Sequence, residues 1–182
     1  MPLFEDGANE ATVKNIEAKF RYGDIAAIER KTRKLGARDM GLLHQCDTFF
    51  QAEHARLKLR EFGDGRGELI SYRRSDVPGG RESEYFVYHS TALEGLKAIL
   101  EQALGTKGSV RKTRHLFLFR NTRIHLDDVE GLGTFVEIET VISGQDRADT
   151  VAEFEEVARI LKLNPEDSVP VSYFDLLNGS GA

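Results

Sequence analysis

The sequence predicts an α+β fold in which antiparallel strands form a sheet and amphipathic helices pack on its outer side. Several short segments alternate strictly between ionisable and aliphatic residues, which is the period of two that a strand with two different faces shows. Three other segments repeat aliphatic residues at helical spacing and are bounded by capping residues and glycines. A tight Gly131-Leu132-Gly133 connection joins two of the strands as a β-hairpin.

The composition is typical of one globular domain. The chain has 182 residues, of which 40% are hydrophobic and 30% charged, so it can build one sizeable core but is short for two. A formal net charge of −5 argues against a nucleic-acid binder that relies on overall basicity. No apolar run approaches the roughly 18 residues of a membrane span, so no membrane partner is predicted. Cys46 is the single cysteine, which excludes an intrachain disulfide and favours a reducing, cytoplasmic location.

We predict one domain at 13–178, with a flexible leader at 1–12 and a flexible tail at 179–182. The predicted strands lie at 13–20, 44–51, 56–60, 68–74, 81–88 and 110–119, with a turn at 77–80 and the hairpin at 123–139. The first predicted helix runs from Asp24 to Gly36, and the second is capped by Ser90 or Thr91 and ends at Gly105. A third helix carries Val151 to Leu161, and a short one lies at 172–177.

One face of the predicted strands is ionisable. Arg56, Lys58 and Arg60 alternate with Leu57 and Leu59, and three like charges on one strand face repel each other unless something compensates them. The residues that share this parity over all strands are Glu17, Lys19, Arg56, Lys58, Arg60, Arg73, Lys112, Arg114, Arg123, Asp127, Glu137 and Glu139.

This ionisable face has two interpretations. In an ordinary two-layer sheet it is turned to water. In a closed barrel of about eight strands, whose interior holds side chains and one small ligand, it lines a tunnel. Many cations with a few carboxylates fit an elongated polyanion plus Mg²⁺ or Mn²⁺. Paired carboxylates also occur in glycoside hydrolases, but the excess of cations counts against that chemistry.

Two positions stay open on the pattern alone. In segment 81–88, either Arg81, Ser83 and Tyr85 share the ionisable face or Glu82 and Glu84 do. His125 shares the parity of Arg123 and Asp127, so it either contacts phosphate or carboxylate or serves as a hydrogen-bonded structural histidine.

Several motifs resemble those of the CYTH superfamily of triphosphate tunnel proteins, and together they cover 13–177. The most specific is the hairpin text T-R-I-H-L-D-D-V-E-G-L-G-T-F-V-E-I-E. Supporting motifs are A-K-F at 18–20, L-K-L-R at 57–60, the Lys112-x-Arg114 pair and the S-Y-x-D-L-L segment at 172–177. The segment Q-C-D-T-F-F at 45–50 is similar to that of the class IV adenylyl cyclase branch.

The resemblance implies a closed antiparallel eight-stranded β-barrel tunnel with helices packed outside, in which basic residues bind a triphosphate and acidic residues bind Mg²⁺ or Mn²⁺. The phosphate ligands that it implies are Lys19, Lys58, Arg60, Arg73, Lys112, Arg114 and Arg123. The metal ligands that it implies are Glu17, Asp127, Glu137 and Glu139. The catalytic group that it implies is Glu17, Lys19, Glu137 and Glu139.

One departure from the family concerns its opening Glu-x-Glu-x-Lys motif, which reads Asn15-Ile16-Glu17-Ala18-Lys19 in this chain. An amide oxygen can coordinate a metal but brings no charge, so a second metal ion or full catalytic activity is put in question.

Three functions are compatible with the resemblance. The leading hypothesis is a class IV-type adenylyl cyclase that converts ATP to cyclic AMP and pyrophosphate. The alternatives are a triphosphatase acting on inorganic tripolyphosphate, thiamine triphosphate or a nucleoside triphosphate, and a non-catalytic nucleotide or polyphosphate binding module. In each case the partner is a nucleoside triphosphate or inorganic polyphosphate, and a homodimer is allowed but not required.

Overall fold

The computed structural model describes residues 10–74, 81–142 and 146–179. Within these residues, eight antiparallel strands form a closed barrel in the order β1-β5-β4-β3-β2-β6-β7-β8. The strands are β1 Glu10–Arg21, β2 Arg38–Phe50, β3 Arg56–Phe62, β4 Gly67–Arg74, β5 Arg81–Ser90, β6 Thr106–Phe119, β7 Thr122–Val129 and β8 Gly133–Val141. The helices are α1 Ile25–Lys34, α2 Leu93–Leu104, α3 Arg147–Leu161 and α4 Tyr173–Leu177, with one 3₁₀ turn at Pro165–Asp167. The predicted closed barrel with outer helices is confirmed.

The barrel consists of two halves with the same element order, namely one strand, one helix and three strands. In each half the last three strands pair in sequence, as β2-β3-β4 and β6-β7-β8. The two first strands lie side by side, because β1 pairs with both β5 and β8. Strands β2 and β6 complete the closure on the other side. The hairpins β2–β3 and β6–β7 therefore occupy matching places in the two halves.

The hydrophobic core lies between the outer face of the barrel and the helices. Ile124 and Ile138 of the barrel are fully buried against Val157 and Leu161 of α3. A separate cluster packs Leu59 of β3 against α2. Burying each such side chain contributes about 1.5–3 kcal/mol. Because the aliphatic faces of these strands are covered from outside, their ionisable faces are turned to the interior.

The predicted boundaries of α1 are confirmed. The carboxylate of Asp24 accepts a hydrogen bond from the Ala27 amide at 3.0 Å, which satisfies one of the amides that an α-helix leaves unpaired at its first turn. Helix α1 ends at Lys34, and Gly36 follows with a φ of +82°, a conformation that glycine adopts without strain.

The predicted cap of α2 was wrong. Ser90 is the last residue of β5, and its hydroxyl accepts from the amide of Ala92, two residues ahead. The N-cap position falls on Ala92, which has no side-chain oxygen to offer the helix. The hydroxyl of Ser90 therefore stabilises a turn between the strand and the helix instead of capping the helix. The helix begins after both Ser90 and Thr91, the two residues that the sequence offered as caps. The end of α2 at Gly105 is confirmed.

The predicted leader and tail fall largely outside the described residues. Strand β1 begins at Glu10, so residues 10–12 belong to the barrel rather than to the leader. Residues 1–9, the predicted turn at 77–80 and residues 180–182 of the tail lie outside the described part of the chain. In the part that is described, none of the helices is both long and apolar enough to span a membrane.

Gly67 at the start of β4 allows α2 to pack closely onto the barrel. A Cβ atom there would lie 2.5 Å from the Arg60 carbonyl oxygen and 2.7 Å from Cδ2 of Leu93. We expect Gly67→Ala to lower the free energy of unfolding by about 1–3 kcal/mol, since the backbone must shift to relieve the overlap. Urea unfolding measures this. Gly63→Ala is the matched control because no atom lies within 4 Å of its Cβ position, and equal losses in the two variants would contradict the prediction.

Candidate functional site

The register of the strands places the predicted ionisable residues on the inner wall of the barrel. Residues directly opposite each other on paired strands face the same side. The opposed pairs are Asp47 with Arg60, Arg114 with Asp127, Arg123 with Glu139, His125 with Glu137, Lys19 with Glu137, and Glu17 with Glu139. Except for Arg73, the predicted phosphate, metal and catalytic residues therefore share one interior.

Three of these residues form what we call the β6–β7 charge cluster: Lys112, Arg114 and Asp127. Arg114 donates two hydrogen bonds to Asp127, from Nε at 2.7 Å and from Nη2 at 2.6 Å. The Lys112 ammonium lies 3.6 Å from Oδ2 of Asp127, and the Tyr173 hydroxyl donates to the same oxygen at 2.9 Å. Burial alone would raise the pKa of Asp127, but Arg114 and Lys112 outweigh it and hold that pKa well below its usual value.

Lys112 is the cation of this cluster with the weakest hold on its proton. Burial lowers the pKa of Lys112 to about 7, and the neighbouring Arg114 guanidinium adds to the shift. Asp127 opposes the shift without cancelling it. Lys112 therefore exchanges its proton near neutral pH, where an ordinary lysine is fully charged.

A second group, the carboxylate cluster, consists of Asn15, His125, Glu137 and Glu139. Glu137 accepts from Nη2 of Arg114 at 2.8 Å. Glu139 accepts from Nδ2 of Asn15 and, at 3.1 Å, from the hydroxyl of Tyr85. Tyr85 also accepts from Nη2 of Arg123 at 3.1 Å. Burial would raise the pKa of Glu139, but Arg123 and His125 hold it below its usual value.

His125 lies between the two glutamates. Its Nδ1 is 3.4 Å from Glu137 and its Nε2 is 3.8 Å from Glu139. Burial lowers the pKa of His125, and Arg114 lowers it further, so the ring is neutral at pH 7. His125 is thus buried and hydrogen-bonded to a carboxylate, which is compatible with both alternatives that the sequence left open.

The ambiguous strand β5 is resolved as well. Tyr85 contacts Glu139 in the interior, and Ser83 of the same parity is buried. Glu82 and Glu84 lie on the outer face, where each carboxylate is 3.9 Å from the Lys14 ammonium. The alternative that Glu82 and Glu84 face inward is thus excluded.

Arg73 was wrongly assigned to the inner face. Tyr72 is the residue opposite both Arg56 and Tyr85, so Tyr72 faces inward and Arg73 faces outward. Arg73 is exposed, and its Nε donates to the His54 carbonyl at 3.2 Å. A shift of one residue moves every side chain of a strand to the other face. The charge pattern predicts the wrong inner face for β4 because the inner face carries Ile70 and Tyr72 rather than charged residues only.

One end of the barrel is covered by residues 171–177, which contain α4 and are called the α4 segment below. The Lys19 ammonium donates to the Val171 carbonyl at 2.5 Å and lies 4.4 Å from the centre of the Tyr173 ring. Arg56 shares the inner parity, but it pairs at 2.9 Å with Asp175 of α4. The interior is therefore bounded at this end by side chains of the α4 segment.

Asp47 and Tyr173 belong to the site although the sequence pattern did not single them out, whereas Tyr85 is a residue whose face that pattern left open. Asp47 is 3% exposed and accepts hydrogen bonds from both Lys58 and Arg60. A usable signal existed for Asp47, because it alternates with Cys46 and Thr48 within a strand-like segment. The hydroxyl contact of Tyr173 depends on how α4 docks, which no local pattern encodes.

The oxygen atoms in and beside the carboxylate cluster meet the requirements of a hard divalent cation only in part. Glu17 is opposite Glu139 in register, and Glu137 is two residues away on the same face. The buried Oδ1 of Asn15 has no hydrogen-bond partner, which leaves an oxygen donor available. Asp127 fits poorly because its oxygens already accept from Arg114 and Tyr173. As they stand, no three Asp, Glu, His or Cys side chains among the described residues converge to hold a metal ion.

A groove of about 1100 Å³ lies elsewhere, beside the start of α2. It is lined mainly by residues of the outer barrel face, such as Cys46, Glu61 and Arg111. Gln45 and Lys112 of the inner wall also line it. The carboxylate cluster does not border this groove, but the groove and the charged interior share Gln45 and Lys112.

A closed antiparallel barrel with buried arginine, lysine and carboxylate pairs inside defines a class of tunnel proteins whose interior suits an anionic ligand. Residues 13–173 match the model of the CYTH domain. The chain belongs to the CYTH family.

Relatives of known sequence or structure agree with this membership. A putative adenylate cyclase of Methanocaldococcus jannaschii is 34% identical over 170 residues, which cover 88% of this chain and 97% of the relative. A solved structure from Pyrococcus horikoshii OT3 has a TM-score of 0.79 at 27% identity and covers 89% of this chain and 98% of its own. A putative adenylyl cyclase from Hippeastrum, described as having a dominant triphosphatase activity, shares the fold with a TM-score of 0.66 at 15% identity, covering 93% and 97% of the two chains.

Proposed function

We propose that the protein binds a triphosphate inside the barrel and acts on it with Mg²⁺ or Mn²⁺, most specifically as a class IV-type adenylyl cyclase. The observation that carries the proposal is the shared inner wall of the Lys-x-Arg pairs on β3 and β6, which lie on either side of β2. Arginine binds phosphate oxygens through paired N–H groups and lysine binds them as a point charge. The cations proposed as phosphate ligands are Lys19, Lys58, Arg60, Lys112, Arg114 and Arg123.

Glu17, Glu137 and Glu139 are the proposed metal ligands, with the unpartnered oxygen of Asn15 beside them. A bound Mg²⁺ or Mn²⁺ supplies Lewis-acid polarisation of the phosphate chain and a lower pKa for an attacking hydroxyl. Asp127 is left out of this ligand set because Arg114 and Tyr173 already use its oxygens.

The chain's own residues hold the phosphate chain and offset its charge. In the proposed cyclase reaction, the ribose 3′-hydroxyl of ATP attacks the α-phosphorus and pyrophosphate leaves. Lys112 and Arg114 then stabilise the negative charge that grows on the leaving pyrophosphate, because they are buried and fixed before the ligand arrives. Support for this reaction is the 34% identity to a protein described as a putative adenylate cyclase.

A triphosphatase is the second candidate. In that reaction water attacks a terminal phosphorus and orthophosphate is released from tripolyphosphate, thiamine triphosphate or a nucleoside triphosphate. The observation that favours it is the shared fold with the Hippeastrum protein, whose described dominant activity is that of a triphosphatase.

A product assay separates the candidates. The purified protein is incubated with ATP or inorganic tripolyphosphate and with either metal, and cyclic AMP, pyrophosphate and orthophosphate are quantified. Cyclic AMP and pyrophosphate in equal amounts support the cyclase. Orthophosphate without cyclic AMP rejects the cyclase in favour of the triphosphatase. Tight tripolyphosphate binding without any product, together with turnover in Asn15→Glu, supports a binding module.

Lys112 makes binding depend on pH. Because the pKa of Lys112 is lowered to about 7, most of this group is neutral at about pH 8, and a bound polyanion favours its charged form. Binding of tripolyphosphate at about pH 8 therefore takes up close to one proton, and the affinity falls as pH rises through about 7. Calorimetry in two buffers of different ionisation enthalpy measures the uptake. Lys112→Met is expected to abolish it, and an unchanged uptake in that variant would contradict the assignment.

A further inference from the structure

The hairpin β2–β3 carries a second, partly buried group, the β2–β3 charge cluster, formed by Asp47, Lys58 and Arg60. Arg60 donates to Asp47 from Nε at 2.8 Å and from Nη2 at 2.9 Å. The Lys58 ammonium donates to Oδ2 of the same carboxylate at 2.8 Å. The side chains of Lys58 and Arg60 are 14% and 13% exposed, so a ligand in the interior can still reach them.

This cluster repeats the arrangement of the β6–β7 charge cluster. In both hairpins the aspartate stands directly opposite the arginine, and the lysine precedes that arginine by two residues. Asp47 and Arg60 are 13 positions apart in the sequence, as are Arg114 and Asp127. The two hairpins are neighbours in the barrel because β2 pairs with β6. The interior therefore contains two similar cation pairs, each fixed by one aspartate.

We propose that Asp47 is a positioning residue for phosphate recognition, which holds Lys58 and Arg60 in place and keeps Lys58 charged for a bound polyphosphate. This inference rests on the proposed triphosphate function. Asp47 acts through the two cations and does not itself contact the anion.

The geometry around Arg60 and Lys58 indicates how the positioning works. Asp47 occupies Nε and Nη2 of Arg60, which fixes the plane of the guanidinium and directs Nη1 towards Glu68, 3.8 Å away. An ammonium group has three donors, and the bond to Asp47 uses one of those of Lys58. Both cations can thus contact a phosphate while the aspartate bonds stay in place.

The charge on Lys58 depends on Asp47. The groups that face the ammonium are Asp47 from β2, Arg60 from β3, Tyr72 from β4 and Arg114 from β6. Burial lowers the pKa of Lys58, the two arginines lower it further, and Asp47 is the neighbour that raises it. Without Asp47 the lysine stands beside two guanidinium groups with no compensating carboxylate from β2, so it releases its proton at a lower pH.

The test is calorimetric binding of inorganic tripolyphosphate to the full chain in a metal chelator, at about pH 6.5 and about pH 8.5. We expect Asp47→Asn to weaken binding at the higher pH by about tenfold or more, the effect of losing one charged contact. At the lower pH the difference from the wild type is expected to be smaller, because protonation of Lys58 is favoured there. Adding Lys58→Arg to this variant restores binding at the higher pH, since arginine stays charged.

The matched control is Asp64→Asn, which removes the carboxylate of an exposed Asp–Arg pair outside the interior and is expected to leave both affinities unchanged. Wild-type affinity of Asp47→Asn at both pH values overturns the proposal. An equal loss at both values that Lys58→Arg does not restore also overturns it, because that outcome indicates a general structural defect.

Two further measurements cover the remaining outcomes. If Asp47→Asn does not fold, Asp47→Glu keeps the charge but displaces it, and its affinity is expected to fall at both pH values with the wild-type pH dependence. Wild-type affinity of Asp47→Glu would overturn the positioning role.

If the wild type does not bind tripolyphosphate, the proposed function fails. In that case the pKa of Lys58, measured by NMR without ligand, still tests the coupling, and equal values in the wild type and Asp47→Asn overturn it.

Discussion

Replacing Arg114 with methionine lowers the free energy of unfolding by about 3–5 kcal/mol, the loss expected when one partner of a buried ion pair is removed. Arg114 is 6% exposed and donates to both Asp127 and Glu137. Methionine fills a similar volume but leaves the buried carboxylate of Asp127 and the partly buried one of Glu137 without this cation. Urea unfolding at neutral pH measures the loss, and tripolyphosphate binding is expected to be abolished in the same variant.

Two observations separate this result from a general packing defect. Arg120→Met removes a guanidinium of the surface pair with Glu156, whose side chains are 54% and 35% exposed, and is expected to cost less than about 1 kcal/mol. Arg114 is the main group that lowers the pKa of Asp127, and it adds to the lowering of the pKa of Glu137 by the His125 hydrogen bond, so without it both carboxylates protonate at higher pH. The stability difference from the wild type therefore shrinks as pH falls. A loss for Arg114→Met no greater than that for Arg120→Met, or independent of pH, would disprove the role assigned to Arg114.

Glu139→Gln is expected to reduce metal-dependent turnover by about 100-fold, the upper end of the losses seen when a group that supports a metal site is changed. Glutamine keeps the size of the side chain and removes its charge. Glu139 is opposite Glu17 and accepts from Asn15, so it is the carboxylate that joins the proposed ligands of β1 and β8. The initial rate of phosphate or pyrophosphate release from ATP, with Mg²⁺ or Mn²⁺, measures the effect.

Binding without metal distinguishes lost catalysis from lost structure. In a chelator, Glu139→Gln is expected to bind tripolyphosphate at least as tightly as the wild type, because the variant removes a negative charge from the interior. Glu84→Gln, on the outer face of β5, is the matched control with unchanged turnover. Turnover of Glu139→Gln equal to that of Glu84→Gln would remove Glu139 from the proposed metal ligands.

The fold was predictable because the strands separate aliphatic and ionisable residues cleanly. In β7 and β8, Ile124, Leu126 and Ile138 all pack outward under the helices, as their parity predicts. The interior was less predictable where that separation fails. Strand β4 carries Ile70 and Tyr72 inside and Arg73 outside, so choosing its face by charge gives the wrong answer.

The partners of the interior residues were less predictable than their positions. Asp127 was correctly placed on the inner wall, but sequence alone does not tell whether a carboxylate there meets a metal or a guanidinium. The bidentate bond from Arg114 depends on the register of β6 and β7, and the bond from Tyr173 depends on the docking of α4. Asp47 was missed because its partners Lys58 and Arg60 lie on the next strand, beyond the loop.

The α4 segment has a consequence for the order in which the molecule assembles. The bond from Lys19 to the Val171 carbonyl joins residues 152 positions apart, so it forms only after both ends of the domain have been synthesised. All eight strands precede Val171 in the chain, so the residues that shelter Lys19 and Asp127 at this end are translated after the whole barrel wall. The shelter of the charged interior therefore depends on a stretch of chain that contributes no strand to the barrel.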